Sequence, residues 1–445
     1  MDTASRRVSK SASPSRSGAA ERASPGETGK ASRIPYFPIC HRPPHGFPSA
    51  MRLNHGIHLG YCTNIHRGET WTETFSALRT HTDAVRRRVS PDRPYGIGLR
   101  LSAGAAEELA ARPEERDAFR RWLDETDSYV FTINGFPYGA FHGTRVKEQV
   151  FAPDWSRPER LDYTKRLFDL IDEIAPAGLE ASVSTLPGSF KEFLRPETAD
   201  GQREAIRRNL RACAEHIERL GERSGRDLHL GLEPEPLGLF ENSEETVAFF
   251  DDLTAGTTAE ERERLLRHLG VNYDTCHLAV EFEEPGAAIG ALRAAGLRIS
   301  KVHLSSALTL RPTPEAVARL GEFQEGVYFH QVLVAESGRV SRRFKDLPDA
   351  LDWHGAHPEE AGEEWRVHFH VPLHTSPESC FGDTRDHLTG LLALYAAEPG
   401  WCRHFEFETY TWEVLPPSLR ARDVVDQLVA EYGWCLGELA RHGLA

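Results

Sequence analysis

Beyond residue 51 the chain alternates between short apolar, β-rich runs and longer stretches in which apolar residues recur every three to four positions. The short runs are 57–62, 96–101, 129–134, 179–185, 228–233, 271–274, 299–304 and 404–408. Among the helical stretches, 156–175 carries Leu161, Leu167, Leu170, Ile171 and Ile174 on one face, and 202–219 carries Ile206, Leu210, Cys213 and Ile217. Helices are also predicted over 258–269, 285–295, 384–397 and 422–439. Strands alternating with helices predict a parallel sheet with crossover connections, and eight such units are the count of a (β/α)8 TIM barrel. The doubly wound alternative has a Gly-rich first turn in its nucleotide-binding versions, and none follows Cys62.

Two connections are too long to be ordinary loops. One, 135–155 after the third strand, carries Phe136, Tyr138, Phe141 and Phe151 and is expected to be a lid or a clamp on the barrel mouth. The other, 305–375 after the seventh strand, holds an expected hairpin (327–336 with 340–344) and an extra β-like run, 366–373. Both leave from C-terminal strand ends, where barrels place binding loops.

Residues 1–50 depart from this pattern. They are rich in Ser, Pro, Gly and Arg, with eight basic and three acidic residues, and are expected to form a disordered basic tail ahead of one barrel over 51–445. Met51 opens the first regular pattern and is an alternative start. The whole chain carries −14, so 51–445 carries about −19, a poor match for nucleic acid. No apolar run is long enough to span a membrane, so no direct membrane insertion is expected. Seven scattered cysteines without a CxxC spacing argue against a disulfide framework or a Cys-zinc site, and for a reducing, cytoplasmic setting.

The chemistry concentrates at strand ends. The fifth strand ends in Glu233-Pro234-Glu235, the sixth in Asp274-Thr275-Cys276-His277, the seventh in His303-Leu304-Ser305 and the eighth in Glu406-Phe407-Glu408. A lone acid there is ordinarily a cap or solvated, but acids and an imidazole on four consecutive strands converge in a closed barrel. Carboxylates gathered in this way raise one another's pKa unless a cation neutralises them. The donor set suits Mn²⁺, Mg²⁺, Co²⁺ or Zn²⁺. Period two puts Glu233 with Glu235, and Glu406 with Glu408, on one face, so position does not choose within either pair. Tyr61, Asn64, Asn134 and Tyr138 occupy rim positions suited to substrate hydroxyls, and His370, which shares a face with His368, is expected to enter the site as a further substrate-binding residue, the alternative being a packed, hydrogen-bonded ring. Cys276 reads as a small buried residue, and His58 as structural.

These strand ends, with Leu186-Pro187-Gly188-Ser189 and Phe407-Glu408-Thr409, resemble the motifs of the xylose-isomerase-like TIM barrels, which include sugar isomerases, sugar epimerases and endonuclease IV. The resemblance implies a divalent metal on Glu233, Asp274, His303 and Glu408, favours Glu408 over Glu406, and gives His277 a second-metal or substrate position. Leu186 and Asn134 stand where endonuclease IV has metal-binding histidines, so its three-metal cluster is not expected. Gly60-Tyr61-Cys62-Thr63-Asn64-Ile65-His66, Asn134-Gly135-Phe136-Pro137-Tyr138-Gly139, Tyr328-Phe329-His330-Gln331-Val332, His370-Val371-Pro372 and Glu408-Thr409-Tyr410-Thr411-Trp412 further resemble the EboE "metabolite traffic" proteins. Isomerase- or epimerase-like chemistry on a small polyol-like metabolite is the expectation. In it the metal chelates a carbonyl and its neighbouring hydroxyl, and Glu233 and Glu408 act as catalytic proton acceptor and donor. The alternative is a non-catalytic carrier that hands a passenger to other proteins of an export pathway.

Overall fold

The expected apolar runs become strands because their residues are buried on both faces, as parallel strands flanked by helices must be; Tyr95–Arg100, for example, is buried throughout. The computed structural model describes residues 53–140, 147–377, 380–414 and 423–445. The expected tail 1–50, the alternative start at Met51 and Phe141 lie outside them.

The barrel strands are β1 (His58–Tyr61), β2 (Tyr95–Arg100), β3 (Ser128–Asn134), β4 (Ala181–Thr185), β5 (Leu228–Leu232), β6 (Leu269–Asp274) and β7 (Arg298–Leu304). Then come β8 (Leu308–Leu310), β9 (Val332–Glu336), β10 (Arg339–Phe344), β11 (Glu364–Val367) and β12 (Gly382–Asp383), followed by the last barrel strand, β13 (His404–Phe407). The eight barrel strands are parallel, in the order β1-β13-β7-β6-β5-β4-β3-β2. A parallel bridge between Cys62 and Gly98 joins β1's end to β2, nearly closing the ring. This is the (β/α)8 architecture expected from the alternation.

Expected helices form on their apolar faces. Pro158–Ile174 buries Leu161, Leu167, Leu170, Ile171 and Ile174. Ala199–Ser224 outruns its expected 202–219 and stops at Gly225, whose φ of +69° is the left-handed cap that glycine adopts without a Cβ penalty. Short helices such as Thr275–Val280 escaped the periodicity because they span barely two turns.

The insertion after β7 builds a second, antiparallel sheet in the order β10-β9-β11-β8-β12, with its own apolar core including Leu308, Val332, Trp365 and Val367. The expected hairpin is β9 with β10. The expected strand 366–373 keeps only its first residues, in β11. Past Val367 the backbone leaves the ladder: His368 N–H donates to Gln331 O at 2.8 Å and Val371 N–H to Ser306 O at 2.9 Å. That departure brings His368 and His370 beside His277 of the barrel.

Candidate metal centre and substrate cleft

Strand ends decide where the acids stand. β5 stops at Leu232 and β13 at Phe407, so Glu233 and Glu408 are the first residues beyond their ladders. Asp274 closes β6 and pairs in register with His303 of β7. All four side chains are buried, with donor atoms within 4.8 Å of one another. His303 Nδ1 lies 3.1 Å from Glu233 Oε1, 3.4 Å from Asp274 Oδ2 and 3.3 Å from Glu408 Oε2. An ion about 2.1 Å from each donor separates neighbouring donors by roughly 3.0 Å (octahedral) to 3.4 Å (tetrahedral), so these side chains fit a divalent cation.

Two carboxylates are held by one oxygen and leave the other toward the group. Asp274 Oδ1 caps the helix Thr275–Val280, accepting from Cys276 N at 2.7 Å and His277 N at 3.1 Å, and takes the Ser305 hydroxyl at 2.5 Å. Its Oδ2 is buried without a hydrogen-bond partner. Glu408 Oε1 accepts from Asn64 Nδ2 at 2.6 Å and more weakly from Asn134 Nδ2 at 3.4 Å, freeing Oε2.

The close approach of these charges sets how each group titrates. Burial alone would lower the His303 pKa, but the negative charge of Glu408 and Glu233 lifts it well above the imidazole range. Burial disfavours the Asp274 carboxylate, yet His277 and His303 hold it well below its usual range. Glu235 is pushed well above that range by burial and by the charges of Glu233, Glu408 and Asp274.

Above this group opens a cleft of about 600 Å³, counting the part open to solvent. Its floor includes Asn64, Asn134, Glu233, Glu235, His277 and Glu408; its walls include Phe136, Val150, Phe151, Tyr328, Phe329 and Tyr410. Two insertions and the segment after β13 therefore supply apolar walls to a polar floor.

Residues 99–334, more than half of the chain, match the family of xylose isomerase-like TIM barrels. The chain belongs to that family. No curated protein matches it. Solved structures similar to this chain include a xylose isomerase domain protein from Planctomyces limnophilus, 15% identical, covering 86% of this chain and 98% of that one at a TM-score of 0.47. A D-tagatose 3-epimerase-like protein is 12% identical over 86% of this chain and 98% of its own, at 0.46. A xylose isomerase-like TIM barrel protein from Mycobacterium smegmatis, in complex with magnesium, is 15% identical over 81% and 87%, at 0.43.

In this xylose isomerase-like barrel the pairs left open by position separate. Glu233 and Glu408 belong to the donor group; Glu235 lines the cleft, and Glu406 turns to the other nitrogen of His303. Asn64, Asn134 and His277 line the cleft. His370 packs behind them, its ring 5.5 Å from that of His277. Tyr61 and Tyr138 are not brought in. The Tyr61 hydroxyl is held by Thr82 at 2.7 Å and His66 at 2.8 Å, and Tyr138 packs on Tyr163 and Arg160.

Three histidines share one arrangement. Nδ1 of His277 faces Pro234 O at 3.1 Å, that of His368 faces Gln331 Oε1 at 2.7 Å, and that of His370 faces Glu408 O at 2.9 Å. A carbonyl only accepts, so each Nδ1 carries a proton. Nε2 of His368 and of His370 is buried without a partner. Asp274, His277 and His370 form a second group able to hold a cation.

Residues with no strand-end signal also line the cleft: Lys147, which pairs with Asp346, and Gln331 and Phe329 of the insertion. The Tyr328–Val332 segment of the EboE resemblance pointed toward Phe329 and Gln331, and no sequence signal pointed toward Lys147.

Proposed function

We propose that this barrel is a metal-dependent isomerase or epimerase of the EboE metabolite traffic type, acting on a small polyol-like metabolite or natural-product precursor. The observation that carries this reading is the buried group of Glu233, Asp274, His303 and Glu408, with Asp274 Oδ2 left unpartnered at its centre. Those four residues would hold the ion, as Mn²⁺, Mg²⁺, Co²⁺ or Zn²⁺. A bound divalent ion supplies Lewis-acid polarisation of a carbonyl and its neighbouring hydroxyl.

The chain's own groups do the rest. Glu233 and Glu408 both reach the cleft and act as proton acceptor and donor at the substrate carbon. Asn64 and Asn134 orient Glu408 through their Nδ2 groups. His277 lines the cleft beside Glu233 and Asp274 and would meet a substrate hydroxyl there, with His370 packed behind it. Carboxylates dominate the floor and Lys147 is already paired with Asp346, so the cleft is unsuited to a phosphate backbone.

Glu408→Gln tests this reading. With Mn²⁺ and a panel of ketoses in D₂O, wild type should incorporate deuterium beside the carbonyl, and the variant should fold but not exchange. A variant that binds metal and still turns over removes the mechanism. Saturable ketose binding by wild type without exchange favours the carrier, the role the EboE resemblance also allows.

A further inference from the structure

Resting on the metal-centre reading, we propose that Glu406, held by Lys301, is a positioning residue that dictates which nitrogen of His303 faces the cation. Glu406 and His303 are register partners on β13 and β7. Glu406 Oε2 lies 3.0 Å from His303 Nε2, on the side of the ring away from the three rim carboxylates. A carboxylate only accepts, so Nε2 carries a hydrogen; Nδ1 donates toward the carboxylates of Glu233, Asp274 and Glu408 in the ion-free site and would turn its lone pair to an ion held among them. With an ion on the Nδ1 side, the opposite tautomer would aim an N–H at the cation and a lone pair at the Glu406 carboxylate 3.0 Å away.

Lys301 makes this acceptor compatible with the site. Its Nζ donates to Glu406 Oε2 at 2.7 Å and to Ser184 Oγ at 2.9 Å, and both charged side chains are fully buried. The pair is neutral in sum, so Glu406 orients His303 without adding a fourth negative charge to the centre. The lysine also tethers the carboxylate below the rim, where it does not compete with Glu408 for the ion.

The fold reserves space for this carboxylate. A Cβ placed on Gly98 of β2 would lie 1.6 Å from Glu406 Oε1 and 2.6 Å from its Cδ. The glycine at the barrel seam is therefore the gap that Glu406 fills, and Glu406 is confined on three sides by β2, Lys301 and His303.

Removing Glu406 alone strands a buried lysine and risks unfolding, so the test compares two double variants of the full chain. Lys301→Met with Glu406→Gln removes both charges and keeps an acceptor for Nε2–H. Lys301→Met with Glu406→Leu removes the acceptor as well. Mn²⁺ affinity, read from the free-ion electron paramagnetic resonance signal, should fall about 10- to 100-fold from the first to the second. Circular dichroism melts of the metal-free forms confirm folding. Equal affinities in two folded variants overturn the proposal. Should either variant not fold, ¹⁵N-histidine spectra of the Zn²⁺-loaded wild type decide, with His303 assigned by its loss in His303→Gln. A protonated Nε2 with a metal-shifted Nδ1 supports the proposal, and any other pattern overturns it.

Discussion

Raising the pH should weaken the fold through Glu431, and the size follows from its surroundings. Glu431 sits fully buried on the helix Val424–Arg441. Its Oε1 accepts from the Thr409 hydroxyl at 2.7 Å and from Leu373 N–H at 3.1 Å. One oxygen thus ties the residue after Glu408 to the segment that delivers His370. Burial, only partly offset by those donors, pushes its pKa from 4.5 up to about 7. Between these values the folded chain holds a proton that the unfolded chain has released, so stability falls as pH rises through the window. The stabilising contribution is complete below about pH 4.5 and lost above about pH 7; at about 1.4 kcal/mol per pH unit it amounts to about 3.5 kcal/mol. Glu431→Gln keeps the side chain neutral at every pH. Urea unfolding at about pH 5 and about pH 8 should show the variant gaining about 2.5 kcal/mol on wild type across that interval. Parallel curves would refute the reasoning, because they would mean that Glu431 titrates alike in both states.

Three further outcomes are expected. Gly98→Ala should cost about 3 kcal/mol or more in urea unfolding, because its Cβ would displace a buried, ion-paired carboxylate rather than a flexible tip. Mn²⁺ at about 100 times its Kd should stabilise the metal-stripped protein by about 2.7 kcal/mol in thermal melts, and Asp274→Asn should abolish that gain. Arg160→Met should lose about 2–4 kcal/mol, since the buried guanidinium donates to Gly135 O and Pro153 O at 2.8 Å each; limited proteolysis should then open the loop 135–155.

Much of this architecture is readable without coordinates. Buried parallel strands are continuous apolar runs, amphipathic helices repeat with their own period, and both signals are local. The eight strands accordingly stand within two residues of their expected bounds, and the β9–β10 hairpin lies where two β-rich runs flank Ser337-Gly338. The grouping of Glu233, Asp274, His303 and Glu408 also follows from topology, because consecutive parallel strands end on one rim.

What remained depends on closure of the ring and on side-chain direction. Period two places Glu406 and Glu408 on one face, but only the gap at Gly98 and the cation at Lys301 draw the first downward while the second stays at the rim. Tyr61 has a rim position in the sequence, yet its hydroxyl turns to Thr82 and His66 instead of the cleft. His368 and His370 reach the centre because the backbone after Val367 finds its partners at Gln331 and Ser306, neither of which adjoins it in sequence. Sequence by itself determined the barrel and which strands carry ionisable ends, since those are properties of short segments. Tertiary structure alone decided which atom of each end faces its neighbours, because that choice belongs to contacts between segments far apart along the chain.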